Sequence, residues 1–120
     1  MMGSNVHWLL DVAINEGELD AFKTLMKEMV EATQSNESGA MIYEWFISED
    51  EKNCHMYERY VDSAAMMIHL GSFGANFAER FFAAVTPARF TVYGDPSSEV
   101  REALAGFGVV HMAEIGGFAR

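Results

Sequence analysis

The chain has little of several things that would place it in a broad class. It holds one cysteine in 120 residues, so no disulfide can form within it, and a reducing, cytoplasmic compartment fits that usage. It has 8 Lys and Arg against 18 Asp and Glu, a formal charge of −10 at pH 7. Such a balance repels phosphate backbones, no basic stripe interrupts it, and nucleic acid is excluded as a partner. No apolar run approaches the roughly 20 residues of a membrane-spanning helix, and the start lacks a basic segment followed by a hydrophobic one. Neither a membrane nor an export route is expected. Gly71-Ser-Phe-Gly74 and Gly106-Phe-Gly108 have neither the spacing nor the lysine of a phosphate-binding loop. The histidines (His7, His55, His69 and His111) fall on four separate elements and no pair has helical ligand spacing, so no metal is expected. No nucleophile elbow is present.

What the chain does have is apolar surface. Half of it is hydrophobic, with nine Phe and nine Met, enough for a core in one domain of residues 1–120. Methionine is flexible and fills irregular gaps, which suits ordinary core filling and also an adaptable pocket.

Val6 to Ile14 alternates, with Val6, Trp8, Leu10, Val12 and Ile14 on one side, and predicts a strand. Leu19, Phe22, Leu25, Met26, Met29 and Val30 recur at helical spacing. Ser35 to Gly39 reads as a turn in which Gly39 takes a positive φ. Ala40 to Ser48 and Cys54 to Tyr60 read as strands joined by a short hairpin, with Met41, Tyr43, Trp45 and Ile47 sharing a face. Asp62 or Ser63 caps a helix that carries Ala65, Met66 and His69 on one face. Gly71 to Gly74 is expected to interrupt it, and Phe73, Phe77, Phe81, Ala84 and Val85 form a second stripe. Pro87 is expected to close that helix, with a strand at Arg89 to Tyr93. Asp95 then reads as an N-cap with Pro96 at the first helical position, followed by a short helix and a strand within Val109 to Ile115.

The order βαββαβ over about residues 6–93 predicts an α+β fold of ferredoxin-like type, both helices on one face of an antiparallel sheet. Residues 95–120 form a C-terminal extension. The helix-free sheet face still carries apolar side chains, so a homodimer through that face is expected.

Cys54 to Leu70 joins a strand directly to a helix and carries Glu58, Tyr60 and His69 on two rigid elements. His69 reads either as a half-buried helix residue bonded to a carbonyl or as a proton donor or acceptor lining a cavity. Tyr43, Trp45, Tyr57, Tyr60 and Trp8 are core aromatics or platforms for a flat ligand. Glu58, charged on an apolar face, must find a partner or stay at the rim.

Tyr43-x-Trp45, Tyr57-Glu58-Arg59-Tyr60-x-Asp62, Ala64 and His69 together resemble the antibiotic biosynthesis monooxygenase family. Glu18-Leu19-Asp20-x-Phe22 and Ser38-Gly39 are similar to it as well. The resemblance implies a dimeric α/β barrel with a ligand cavity between sheet and helices. Some members oxidise quinols or anthrones with molecular oxygen and no bound cofactor. It implies His69 as the catalytic base, with Tyr43, Trp45, Glu58 and Tyr60 holding a small aromatic substrate. A haem-degrading branch of the same fold carries a histidine about ten residues after the position of His69. Here Glu79 stands there, so no haem is expected. The alternative is a non-catalytic dimeric module, ligand-binding or stress-associated, that kept the fold.

Overall fold

The computed structural model describes residues 4–120. Its elements are β1 (Val6–Ile14), α1 (Leu19–Asn36), β2 (Ala40–Ile47), β3 (Asn53–Tyr60), α2 (Ser63–Asn76), α3 (Ala78–Ala84), β4 (Val85–Tyr93), α4 (Ser98–Ala103), a 3-10 turn at Ala105–Phe107, and β5 (Val110–Met112). The sheet order is β2-β3-β1-β4-β5, with every pair antiparallel except β4 and β5. This is the expected ferredoxin-like α+β core with an added helix and strand.

Alternation in β1 and β3 turns Val6, Trp8, Val12, Cys54, Met56, Glu58 and Tyr60 toward the helices, and all are buried. They contribute to two apolar clusters. One gathers Val12, Met56, Phe22, Leu25, Met29 and Phe81; the other gathers Val6, Trp8, Tyr60, Met66, Val92 and Leu104. The candidate site lies between the two.

Several local expectations are corrected. α2 runs through Gly71 and Gly74 to Asn76 and breaks at Phe77 instead, whose N–H bonds the Phe73 carbonyl. Glycine weakens a helix but leaves its N–H in the ladder, so two glycines do not end one. Pro87 lies inside β4, which starts at Val85. β5 pairs only with Thr91–Tyr93, so the β4 edge is free at Pro87, and the register with β1 shifts beside it, between Asp11 and Val12. An edge and a bulge are the two places a strand tolerates proline.

The cap of α4 is Ser97, whose side chain accepts from Val100 N at 3.2 Å, and not Asp95. Gly39 has no positive φ. It is needed for close approach, since a Cβ there would lie 2.6 Å from the Ala65 Cβ. A register shift between Ala40 and Ile42 turns Met41 out to 53 % exposure, away from Tyr43 and Trp45. α1 continues to Asn36, so the expected turn shortens to the residues around Gly39.

Candidate functional site

The site is built where β3 meets α2. Glu58 lies on the central, helix-covered part of the sheet, paired in register with Trp8 on one side and Tyr43 on the other. Val61 and Asp62 then turn the chain, and Asp62 caps α2 by accepting from Ala65 N at 2.9 Å. Two turns into α2, His69 hangs over Glu58. A third element completes the group, because Glu37 follows the last residue of α1 and reaches His69 from the other side.

The resulting geometry is a chain of four side chains. His69 Nδ1 lies 2.9 Å from Glu37 Oε1 and 3.2 Å from Oε2. His69 Nε2 lies 3.2 Å from Glu58 Oε1, to which the Tyr60 hydroxyl donates at 2.6 Å. The side chains of His69, Glu37 and Glu58 are only 7 %, 7 % and 2 % exposed. Carboxylates taken this far from water need a cation or hydrogen-bond donors, and here one imidazole serves both.

Burial opposes a charge on His69, but contact with Glu58 and the negative charges of Glu58 and Glu37 outweigh it and raise its pKa above the ordinary 6.5. Tyr60 is pushed far up, first by burial and then by the charge of Glu58, so it remains a hydrogen-bond donor. Tyr43 is raised for the same two reasons. The buried Cys54 thiol is pushed up to about 11, mainly by burial, which removes it as a neutral-pH nucleophile.

Glu58 and His69 form the polar end of a cavity of about 590 Å³. Its other walls are mostly apolar, including Trp8 and Met56 from the sheet, Phe73 and Phe81 from the helices, and Leu104 and Phe107 from the C-terminal segment, with Arg89 of β4 as a further charged residue on the lining. Trp8, Tyr43 and Tyr60 pack around the imidazole with ring centroids 6.2, 5.3 and 5.3 Å away.

His69, Glu58, Tyr60 and Tyr43 are thus brought together. His69 and Glu58 line the cavity, whereas Tyr60 and Tyr43 stand behind them. Trp45 is displaced from the site. It packs on Phe22, Phe81 and Tyr43 within the core, and its Nε1, like the Tyr43 hydroxyl and Trp8 Nε1, is buried without a hydrogen-bond partner. Glu37 went unrecognised in the sequence because it sits in a polar turn cluster. The available signal was its place at the end of an amphipathic helix. Glu79, at the position of the haem-branch histidine, is exposed in the first turn of α3. Among the described residues, no three His, Cys, Asp or Glu side chains are grouped to hold a metal ion, and no helix is long and apolar enough to cross a membrane.

Fold and site together define a ferredoxin-like domain with a buried carboxylate–imidazole pair at the end of an apolar cavity. The model of the antibiotic biosynthesis monooxygenase family matches residues 9–86, and the chain belongs to that family. Among solved structures it is similar to MupZ from Pseudomonas fluorescens, with a TM-score of 0.88 and 24 % identity over 100 % of this chain and 92 % of that one. Rv0793 from Mycobacterium tuberculosis superposes with a TM-score of 0.67 and 24 % identity, over 79 % of this chain and 98 % of that one. A conserved protein from Methanosarcina mazei Go1 gives 0.64 and 17 % over 74 % and 90 %. At these identities the likeness speaks for the fold. No curated protein matches the chain in sequence.

Proposed function

We propose that this protein is a cofactor-independent monooxygenase acting on a quinol, an anthrone or another electron-rich phenol in the cavity beside His69. The observation that carries the reading is the Glu37–His69–Glu58–Tyr60 chain, a proton-handling group buried at the end of an apolar pocket. A phenol becomes reactive toward oxygen once deprotonated, and in this reading His69 in its neutral form takes that proton. The ring carbon then adds dioxygen. One oxygen atom stays as a new carbonyl and the other leaves as water, so the substrate itself supplies the four electrons. Tyr60 holds Glu58, and Glu58 and Glu37 hold the imidazole; Tyr43 packs on its ring. Trp45 supports this wall from the core.

The working unit in this reading is a homodimer through the helix-free sheet face, where Leu9, Ile42, Phe46, Tyr57 and Tyr93 stand among polar residues. The single, buried cysteine fits a cytoplasmic setting. One observation favours a second reading, that of a binding module without turnover: both nitrogens of His69 already face carboxylates.

Oxygen uptake with a panel of hydroquinones and anthrones separates the two. As a base His69 must first lose its proton, so the rate is expected to rise with pH through a value above 6.5. His69→Gln should lower it about a hundred- to ten-thousand-fold. Ligand binding with no oxygen uptake by any member of the panel would favour the binding module.

A further inference from the structure

We propose that the ligand is a phenolic ring carrying an apolar tail, with the ring at His69 and Glu58 and the tail leaving between α2 and the C-terminal extension. This rests on reading the site as one for a phenol, and it adds what the rest of the cavity is for. A volume of about 590 Å³ falls within the range of about 300–1,000 Å³ that encloses drug-sized ligands. A single-ring quinol leaves most of it unfilled, and apolar walls facing a void lose their contacts.

The direction of the unfilled space is given by exposure along the cavity. Its floor, with Trp8, Met29, Met56, Glu58 and His69, is buried, while Gly71, Gly74, Phe82 and Phe107 at the other end are exposed. Gly71 and Gly74 are three residues apart on α2 and so share a face. Neither has a positive φ, and a Cβ added to either meets nothing within 4 Å. Glycine inside a helix is disfavoured, and neither crowding nor backbone geometry calls for it here. What the two provide is a stretch of the α2 wall without side chains, next to Met67, Leu70 and Phe73, which also line it.

The facing wall comes from the extension. Leu104 is buried and anchors it; the 3-10 turn then presents Phe107, 53 % exposed, and ends on Gly108 in the left-handed region at φ +65. A bare stretch of helix opposite an aromatic ring makes a slot suited to a methylene chain, running from the buried acid–base pair to solvent. The family model ends at residue 86, so the Phe107 wall lies outside the part of the chain that the family model matches.

The test compares methylhydroquinone with decylhydroquinone, reading binding from quenching of tryptophan fluorescence and oxygen uptake on the same samples. The tailed compound is expected to bind the wild-type protein at least about tenfold more tightly, since each buried methylene adds to affinity. Gly74→Leu, which favours the helix, and Phe107→Ala, at an exposed site, should both shrink that ratio while the circular dichroism spectrum stays native. Equal affinity for the two compounds overturns the proposal, as does a ratio that both variants leave intact. A tail-dependent affinity without oxygen uptake supports the tail and defeats the oxygenase reading. Oxygen uptake from both compounds with equal affinity does the reverse.

Discussion

The two faces of the sheet carry the same chemistry in opposite circumstances. On the helix-covered face His69 sits between Glu37 and Glu58, all nearly fully buried, at 2.9 and 3.2 Å. On the open face His55 lies 3.6 Å from Asp11, with the two side chains 51 % and 32 % exposed. A third histidine sharpens the contrast. His7, also on the open face, bonds the Tyr57 hydroxyl at 2.9 Å and stacks on Tyr93. Its pKa is lowered, first by burial and then by the charge of Arg59. The difference shows that burial beside a cation lowers a histidine, and that a buried histidine held above its ordinary value needs anions brought to it. Two separate segments do that for His69, the end of α1 with Glu37 and β3 with Glu58, at the cost of burying two carboxylates.

The largest effect expected from breaking this contrast is on turnover, where His69→Gln should remove most of any quinol oxidation. Stability comes next. His69→Leu leaves Glu37 and Glu58 buried without the imidazole that contacts both, and breaking a buried pair in that way costs about 3–5 kcal/mol, read from urea denaturation below pH 6.5, where His69 is charged. On the open face Phe46→Glu puts a charge on a side chain that is 55 % exposed in the monomer. If that face is the dimer seam, sedimentation should show monomers with little loss of monomer fold; an unchanged dimer places the seam elsewhere.

A smaller effect is the pH dependence of stability. The folded pKa of His69 is raised, so the native state holds its proton more tightly than the unfolded chain. Its stabilisation is fully present below the unfolded value of 6.5 and is lost as pH rises through the folded value. The melting temperature should therefore fall across that window in the wild type, with the slope reduced in Glu37→Gln. His7 acts with the opposite sign, its contribution present above 6.5 and lost as pH falls through its lowered value. The smallest effect belongs to His55→Ala, expected to change stability by no more than about 0.5 kcal/mol, as surface substitutions usually do.

The strand–helix order was legible in the sequence because alternation in β1 and β3 and the stripe in α1 are set by burial on one face. Where a local rule competes with the tertiary setting, reading failed. Gly71 and Gly74 look like helix breakers, yet α2 continues because their N–H groups remain in the ladder. Pro87 looks like a helix stop, yet a free sheet edge accommodates it. At the site, Glu58, Tyr60 and His69 could be brought together from the sequence because one strand–helix corner carries them all. Glu37 could not. It approaches from an element 32 residues away in sequence, and its neighbours Ser35, Asn36 and Ser38 give it the look of a turn residue. Trp45 shares a strand face with Tyr43, but its distance from His69 depends on how α1 and α3 pack over it, which no local pattern encodes.

The most direct test of the buried carboxylate–imidazole–carboxylate group is a histidine titration by NMR on isotope-labelled protein, with His69 identified by loss of its signal in His69→Gln. The expected result is His69 titrating above 6.5, His7 below it, and a downward shift of His69 in Glu37→Gln. A His69 that titrates at or below 6.5 and does not respond to Glu37→Gln would contradict it.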